Sequence, residues 1–274
     1  MQRALPPFLA AVACGVAAWL VWLVASQTDW GAWLDARTAA GFAGLERPRV
    51  EPAAERVAAL VDPAAFALLA SLIVGTAVVR GRIGCACVVT IVLLAANLTT
   101  QALKRGVPTA DRTIDLLPGS GTWPSGHATA AMVLALCAVV VAPSRARPVV
   151  AACGGLFAVA VAYSVLILQR HHPSDVLGAY LIAAGWTALG VVVLNATGAR
   201  SAAGGWDERA GPAARAAGVA AVLALSLVVG FVLTRPDEAL AYAGDYTVFV
   251  AGAPALAAAA LAVATVTAAA VREG

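Results

Sequence analysis

The sequence predicts an all-α, polytopic membrane helix bundle. Hydrophobic residues make up 61% of the 274 residues and charged residues only 12%, where a soluble globular chain carries about a quarter charged residues. The apolar residues gather into runs near the roughly 20 residues that cross about 30 Å of hydrocarbon. The links between the runs alternate between basic and acid-bearing, the pattern that positive-inside sorting leaves. Mean hydropathy is +0.86. A net charge of +3 with no long basic run gives no reason to expect a nucleic-acid partner.

Eight runs are candidate spans: 7–26, 63–80, 84–103, 126–143, 149–169, 174–195, 217–234 and 248–271. The first follows Arg3 and keeps Trp19, Trp22 and Leu23 near its end, so it reads as a retained helix rather than a cleaved signal. The link 27–62 is long. Asp29, Trp30, Trp33 and Leu34 in it suit an interfacial amphipathic segment with indoles at headgroup level. Around Pro48, Pro52 and Pro63 the chain is expected to start irregular and turn helical across Glu55 to Leu60. Runs 126–143 and 248–271 are rich in Ala and Gly, which suits close helix packing. The chain thus divides into 1–62, a first span with an external segment; 63–195, a core; and 196–274, a loop with two further spans. Cys14, Cys85, Cys87, Cys137 and Cys153 all fall inside apolar runs and read as small helix side chains rather than metal ligands.

Arg80-Gly81-Arg82, the 144–148 link with Arg145 and Arg147, and the 196–216 link with Arg200, Arg209 and Arg215 are the basic links. The positive-inside rule puts them in the cytoplasm with both termini. The protein is therefore expected in the plasma membrane, multi-pass. The links 27–62, 104–125 and 170–173 are then expected on the extracytoplasmic face.

Polar residues able to do chemistry cluster on that face. Trp123-Pro124-Ser125-Gly126-His127 follows a turning stretch, Pro118-Gly119-Ser120-Gly121, and opens an apolar run. Ser125 and Gly126 would present backbone N–H groups at a helix N-terminus, a place that favours anions. A second cluster is Lys104-Arg105 with Arg112; a third is Arg170-His171-His172-Pro173-Ser174-Asp175. His171 and Asp175 are four residues apart, so a helix beginning early enough would stack carboxylate under imidazole. An Asp on one ring nitrogen fixes the tautomer and frees the other nitrogen as a nucleophile. These parts suit phosphoryl transfer: fixed cations and N–H groups hold the phosphate oxygens, His171 attacks phosphorus, and His127 protonates the leaving oxygen and then activates water. The Lys and Arg side chains take the electrostatic role that magnesium plays in kinases, so no metal and no other cofactor is expected.

At these residues the chain resembles the type 2 phosphatidic acid phosphatase family, membrane lipid phosphatases with soluble haloperoxidase relatives. The family motifs are Lys-x6-Arg-Pro, Pro-Ser-Gly-His and Ser-Arg-x5-His-x3-Asp. The second is complete as Pro124-Ser125-Gly126-His127, and the third keeps its catalytic half in His171 and Asp175. The resemblance covers about 85–195. It implies catalytic His171, His127 and Asp175, and a phosphate site of Lys104, Arg105, Arg112, Ser125, Gly126 and Arg170. It implies a membrane lipid phosphate or diphosphate as substrate, polyprenyl phosphates and phosphatidic acid among the candidates. Two departures stand out. Lys104 is eight residues before Arg112 while Arg105 has the family spacing, and Thr113 replaces the proline. Ser164 is present, but Val165 stands where the family has a phosphate-binding Arg; Arg170 is the candidate to supply that charge if the backbone there is irregular.

Other readings stay open on the sequence. A phosphotransferase would share the chemistry up to the phosphohistidine. A non-catalytic lipid-phosphate binder or scaffold would account for Val165. Arg170, Lys104 and Arg105 also suit interfacial snorkelling, Asp175 suits a helix cap, and His172 is expected to face headgroups or solvent. Asn97 and Gln101 either bond across helices or line a substrate path. Nothing in the sequence fixes the oligomeric state.

Overall fold

A computed structural model describes residues 5–45, 48–107, 123–197 and 236–272. Its helices are α1 (Leu5–Gln27), α2 (Asp29–Ala43), α3 (Glu51–Ala58), α4 (Pro63–Val79), α5 (Ile83–Gly106), α6 (Gly126–Val141), α7 (Arg147–Ile167), α8 (Pro173–Ala196), α9 (Pro236–Asp245) and α10 (Thr247–Arg272), with a 3₁₀ turn at Ala59–Val61 between α3 and α4. Among the described residues there is no strand, so the all-α bundle expected from composition is what forms. The expected span 217–234, the link 196–216 beyond Thr197, and Arg112 lie outside the described residues.

α6 is the centre of the bundle. Ala, Val, Leu, Met and Cys surround it on every side, and 13 of its 16 residues are buried; a helix apolar all round belongs inside a core. α5, α7, α8, α4 and α10 pack around it, and α1 lies along α8. Small residues let the backbones approach: a Cβ on Gly154 would come within 2.9 Å of Ala135. On the outside, Leu9, Val16 and Leu20 of α1, Leu68 and Leu72 of α4 and Ile91, Leu94 and Leu98 of α5 are exposed, as a lipid-facing surface requires. α1, α5, α7, α8 and α10 are long and apolar enough to cross a membrane, and α3 with α4 would make a sixth span bent by 51°. α6 spans only 16 residues, about 24 Å at 1.5 Å per residue. It is short because Ser125 caps one end and Pro143 follows the other, so it falls below the full span expected for 126–143.

One end of α6 is closed by cations. Arg80 and Arg82 donate to the Val141 carbonyl at 2.9 and 3.0 Å, and Arg147 donates to Ala142 at 3.2 Å and to Val271, in the last turn of α10, at 3.1 Å. Unsatisfied carbonyls at helix C-termini favour such partners. The two basic links 80–82 and 145–147 therefore meet at one end of the bundle, and the Ser125–His127 turn lies at the other.

The segment after α1 does more than lie at an interface. Trp30 and Trp33 are exposed, but Asp35, Thr38 and Phe42 of α2 are buried, and α2 packs on α1 and α10. Phe42 makes edge contacts with Tyr163 of α7 and Phe249 of α10.

Candidate active site

α6 begins where Ser125, in extended conformation, accepts from the Ala128 N–H at 3.3 Å, the usual device for satisfying a first-turn donor. Thr129 returns a hydrogen bond to the Ser125 carbonyl at 2.8 Å and meets Thr100 of α5 at 3.0 Å. Gly126 is where the Lys104 side chain arrives: a Cβ built there would stand 3.4 Å from Lys104 Nζ and 3.9 Å from Gln101 Nε2. A helix N-terminus and an ammonium group therefore share one place, each favouring an anion. Asn97 does not reach across helices; its amide bonds back to Leu93 of its own helix at 2.9 Å. Arg105 is exposed at the end of the same helix.

The third cluster is formed by two helix ends. α7 stops in a left-handed turn: Gln169 has φ +53°, its N–H bonds Leu166 and the Arg170 N–H bonds Val165. This pair of bonds is the Schellman arrangement, in which the residue after the left-handed one folds back over the third-last helical residue. Arg170 is thus carried next to Val165, through the irregular backbone its expected role requires. Its guanidinium pairs with Glu55 of α3 at 2.6 Å.

α8 starts only at Pro173, so His171 and Asp175 do not stack one helical turn apart. Instead Asp175, at the third helical position, reaches back. Its Oδ2 accepts from the His172 N–H at 2.9 Å and lies 3.2 Å from His171 Nδ1. Capping the helix and holding the imidazole are one contact set. That leaves His171 Nε2 as the nitrogen not engaged by Asp175. A backbone bond, Ser125 N–H to the Asp175 carbonyl at 3.0 Å, ties this cluster to the α6 N-terminus. Trp123 reinforces the link: its indole lies so close over α8 that a Cβ on Gly178 would be 2.5 Å from Nε1.

His172 does not face headgroups or solvent as expected. It is completely buried at the α8 N-cap, with Nδ1 3.7 Å from Asp35 Oδ2. Asp35 also accepts from the Ser174 N–H at 2.8 Å and the Ser174 hydroxyl at 2.6 Å. A buried carboxylate on α2 holding the start of α8 pulls His172 inward.

His127, on the first turn of α6, is close enough to His171, Arg170 and Lys104 to interact with them electrostatically. Its Nε2 lies 3.7 Å from Asp62 Oδ1. The structure therefore draws together His127, His171, Asp175, Lys104, Ser125, Gly126 and Arg170, while Arg105 has no described partner at this site and Arg112 lies outside the described residues. Sequence reasoning missed Asp35, Glu55 and Asp62. Each acts across more than 60 residues of chain and none belongs to a local motif; the signal that could have found them is an acidic residue in an external link opposite a basic site.

Comparisons with known proteins bear on the family and the fold. Residues 86–198 match the family described as the PAP2 superfamily. A search of curated proteins finds no match. A solved structure, described as the first transmembrane PAP2 type phosphatidylglycerolphosphate phosphatase from Bacillus subtilis, has a TM-score of 0.51 and 20% identity to this chain, covering 72% of this chain and 95% of that one. At that identity it shows the shared fold. Fold and family match define the class, a multi-pass membrane phosphatase. Within this chain the match to the PAP2 superfamily spans residues 86–198, about two fifths of its length.

Proposed function

We propose that the protein is a metal-independent lipid phosphate or diphosphate phosphatase acting at the extracytoplasmic face of the plasma membrane through a phosphohistidine. The observation that carries this reading is the contact between Asp175 Oδ2 and His171 Nδ1, made beside a helix N-terminus that also receives Lys104. A carboxylate on Nδ1 keeps the Nε2 lone pair available. Nε2 forms the bond to phosphorus as the bond to the leaving alcohol or phosphate oxygen breaks, and His127 gives that oxygen its proton. His127 then takes a proton from water, whose oxygen attacks the phosphohistidine and releases inorganic phosphate. Lys104, Arg170 and the Ser125–Gly126 backbone meet the charge spread over the phosphoryl oxygens, with Arg112 and Arg105 as further cations.

The substrate follows from the surroundings: a phosphate headgroup presented at the end of the bundle, with its tail in the bilayer. Polyprenyl phosphates, phosphatidic acid and phosphatidylglycerol phosphate all meet that description, the last being the kind of lipid named for the Bacillus subtilis neighbour. One observation favours a second reading: Val165, at the position of the family Arg, is fully buried in the apolar core, as a non-catalytic lipid-phosphate binder would tolerate. The test is phosphate release from a panel of these lipids by purified protein in EDTA. Release from at least one lipid, undiminished by chelator, supports the phosphatase. Binding of the lipids without release supports the binder, and release that needs added divalent metal overturns the metal-independent mechanism.

A further inference from the structure

The end of the external link 27–62, helical as α3 and running into the span α4, sends two carboxylates to the site. Glu55 pairs with Arg170 at 2.6 Å and Asp62 stands 3.7 Å from His127 Nε2. Asp62 occupies the N-cap position of α4, where an Asp side chain ordinarily accepts from the first-turn N–H groups. Here its side chain makes no such bond. Pro63 at the first helical position removes one of those donors, and the carboxylate is turned toward α6 instead. The Glu55–Arg170 pair, with α3 packed on α7, pins the segment one step away and fixes where Asp62 stands.

The need for such a group is electrostatic. A proton donor must carry its proton when the substrate arrives. Burial is the largest influence against a positive charge on the His127 ring, and His171 and Arg170 from the turn after α7 and Lys104 from α5 oppose it further, so the ring titrates below the ordinary histidine value. Among the described residues, Asp62, from the α3–α4 bend, is the group whose charge favours protonation.

We propose that Asp62 is a positioning residue of the reaction, a counter-carboxylate that offsets part of the opposition to a proton on His127 and holds the ring toward the α3–α4 side of the site. The role rests on the reading of His127 as the proton donor. Asp62 is 57% exposed, so its pull acts through a solvent-like dielectric. At 3.7 Å it raises the titration of the ring, and it weakens as salt rises.

The chain has three histidines, His127, His171 and His172, so each ring is separable by NMR in the full-length protein labelled at histidine, with His127→Gln to assign its signal. In Asp62→Asn the titration midpoint of His127 is expected to fall, with Asp62→Glu staying close to the wild type. Asp62→Ser, which restores a capping side chain, is expected to behave as Asp62→Asn, which separates the charge from any effect on α4. The alkaline limb of kcat/KM on a lipid phosphate is expected to move down with the midpoint, and to move less on a p-nitrophenyl substrate, whose leaving group needs little protonation. A His127 midpoint unchanged in both Asp62→Asn and Asp62→Ser overturns the proposal whatever the activity. Absence of phosphatase activity in the wild type would instead strike at the proposed function, and the titration would still decide whether Asp62 governs the proton on His127.

Discussion

Asp175 uses one carboxylate oxygen twice, on the His172 N–H and on His171 Nδ1. Asp175→Asn keeps a cap acceptor but can offer an amide N–H to the ring, which favours the wrong tautomer. It is expected to fold normally by circular dichroism and to lose about 10² to 10⁴-fold in kcat, as other His–Asp pairs do. His127→Ala is expected to slow hydrolysis of a lipid phosphate strongly and of p-nitrophenyl phosphate much less; equal losses on both would remove His127 from the role of acid. At Arg170 the expected loss is of one charge-assisted hydrogen bond to phosphate, about 1.5–3 kcal/mol. If that bond strengthens in the transition state, Arg170→Ala lowers kcat/KM by roughly ten- to a hundred-fold. Because the turn folds Arg170 back over Val165, Val165→Arg in the Arg170→Ala background is expected to recover part of the loss. No change in kcat/KM for Arg170→Ala would make Arg170 an anchor held by Glu55. The His-x3-Asp spacing was legible in the sequence and so was its pairing. The way the pair forms was not, because it depends on α8 starting at Pro173 and not two residues earlier.

At the scale of elements, the ends of helices build the site: the N-termini of α6 and α8, the left-handed stop of α7 and the basic end of α5. Their positions were largely readable, since Ser125, Pro173 and the Lys104-Arg105 pair are ordinary terminus signals. What was not readable is which element holds them in place. Asp35 looked like part of an interfacial segment because Trp30, Trp33 and Leu34 beside it have the right composition, and only the packing of α2 reveals that its other side is buried. Asp35→Ala removes the acceptor for both the Ser174 N–H and hydroxyl in a buried place. It is expected to cost about 1–3 kcal/mol, read as a lower melting temperature in detergent. Asp35→Asn, which keeps an acceptor, is expected to cost less. Equal stability of the Ala variant and the wild type would mean that α2 does not secure the start of α8.

For the whole molecule, composition alone set the fold class, because a chain so poor in charge has too little polar surface for a water-soluble domain. Six of the eight expected runs coincide with helices to within a few residues, α6 is shorter than its run, and 217–234 lies outside the described residues. Both basic links meet at one end of α6, which fits the alternation seen in sequence; the proposed orientation, with that end in the cytoplasm, rests on the positive-inside rule. Cysteines introduced at Ala110 and Ala146 in a cysteine-free background are expected to label from opposite sides of sealed vesicles. Labelling of both from the same side would break the proposed orientation.

The central claim is that His171 carries the phosphoryl group, and it is tested most directly by rapid quench of the purified protein with a lipid phosphate radiolabelled at phosphorus, in EDTA. The expected result is an acid-labile, base-stable label on the wild-type chain that maps to His171, absent from His171→Ala together with turnover. Continued phosphate release by His171→Ala, or label on another residue, would contradict it.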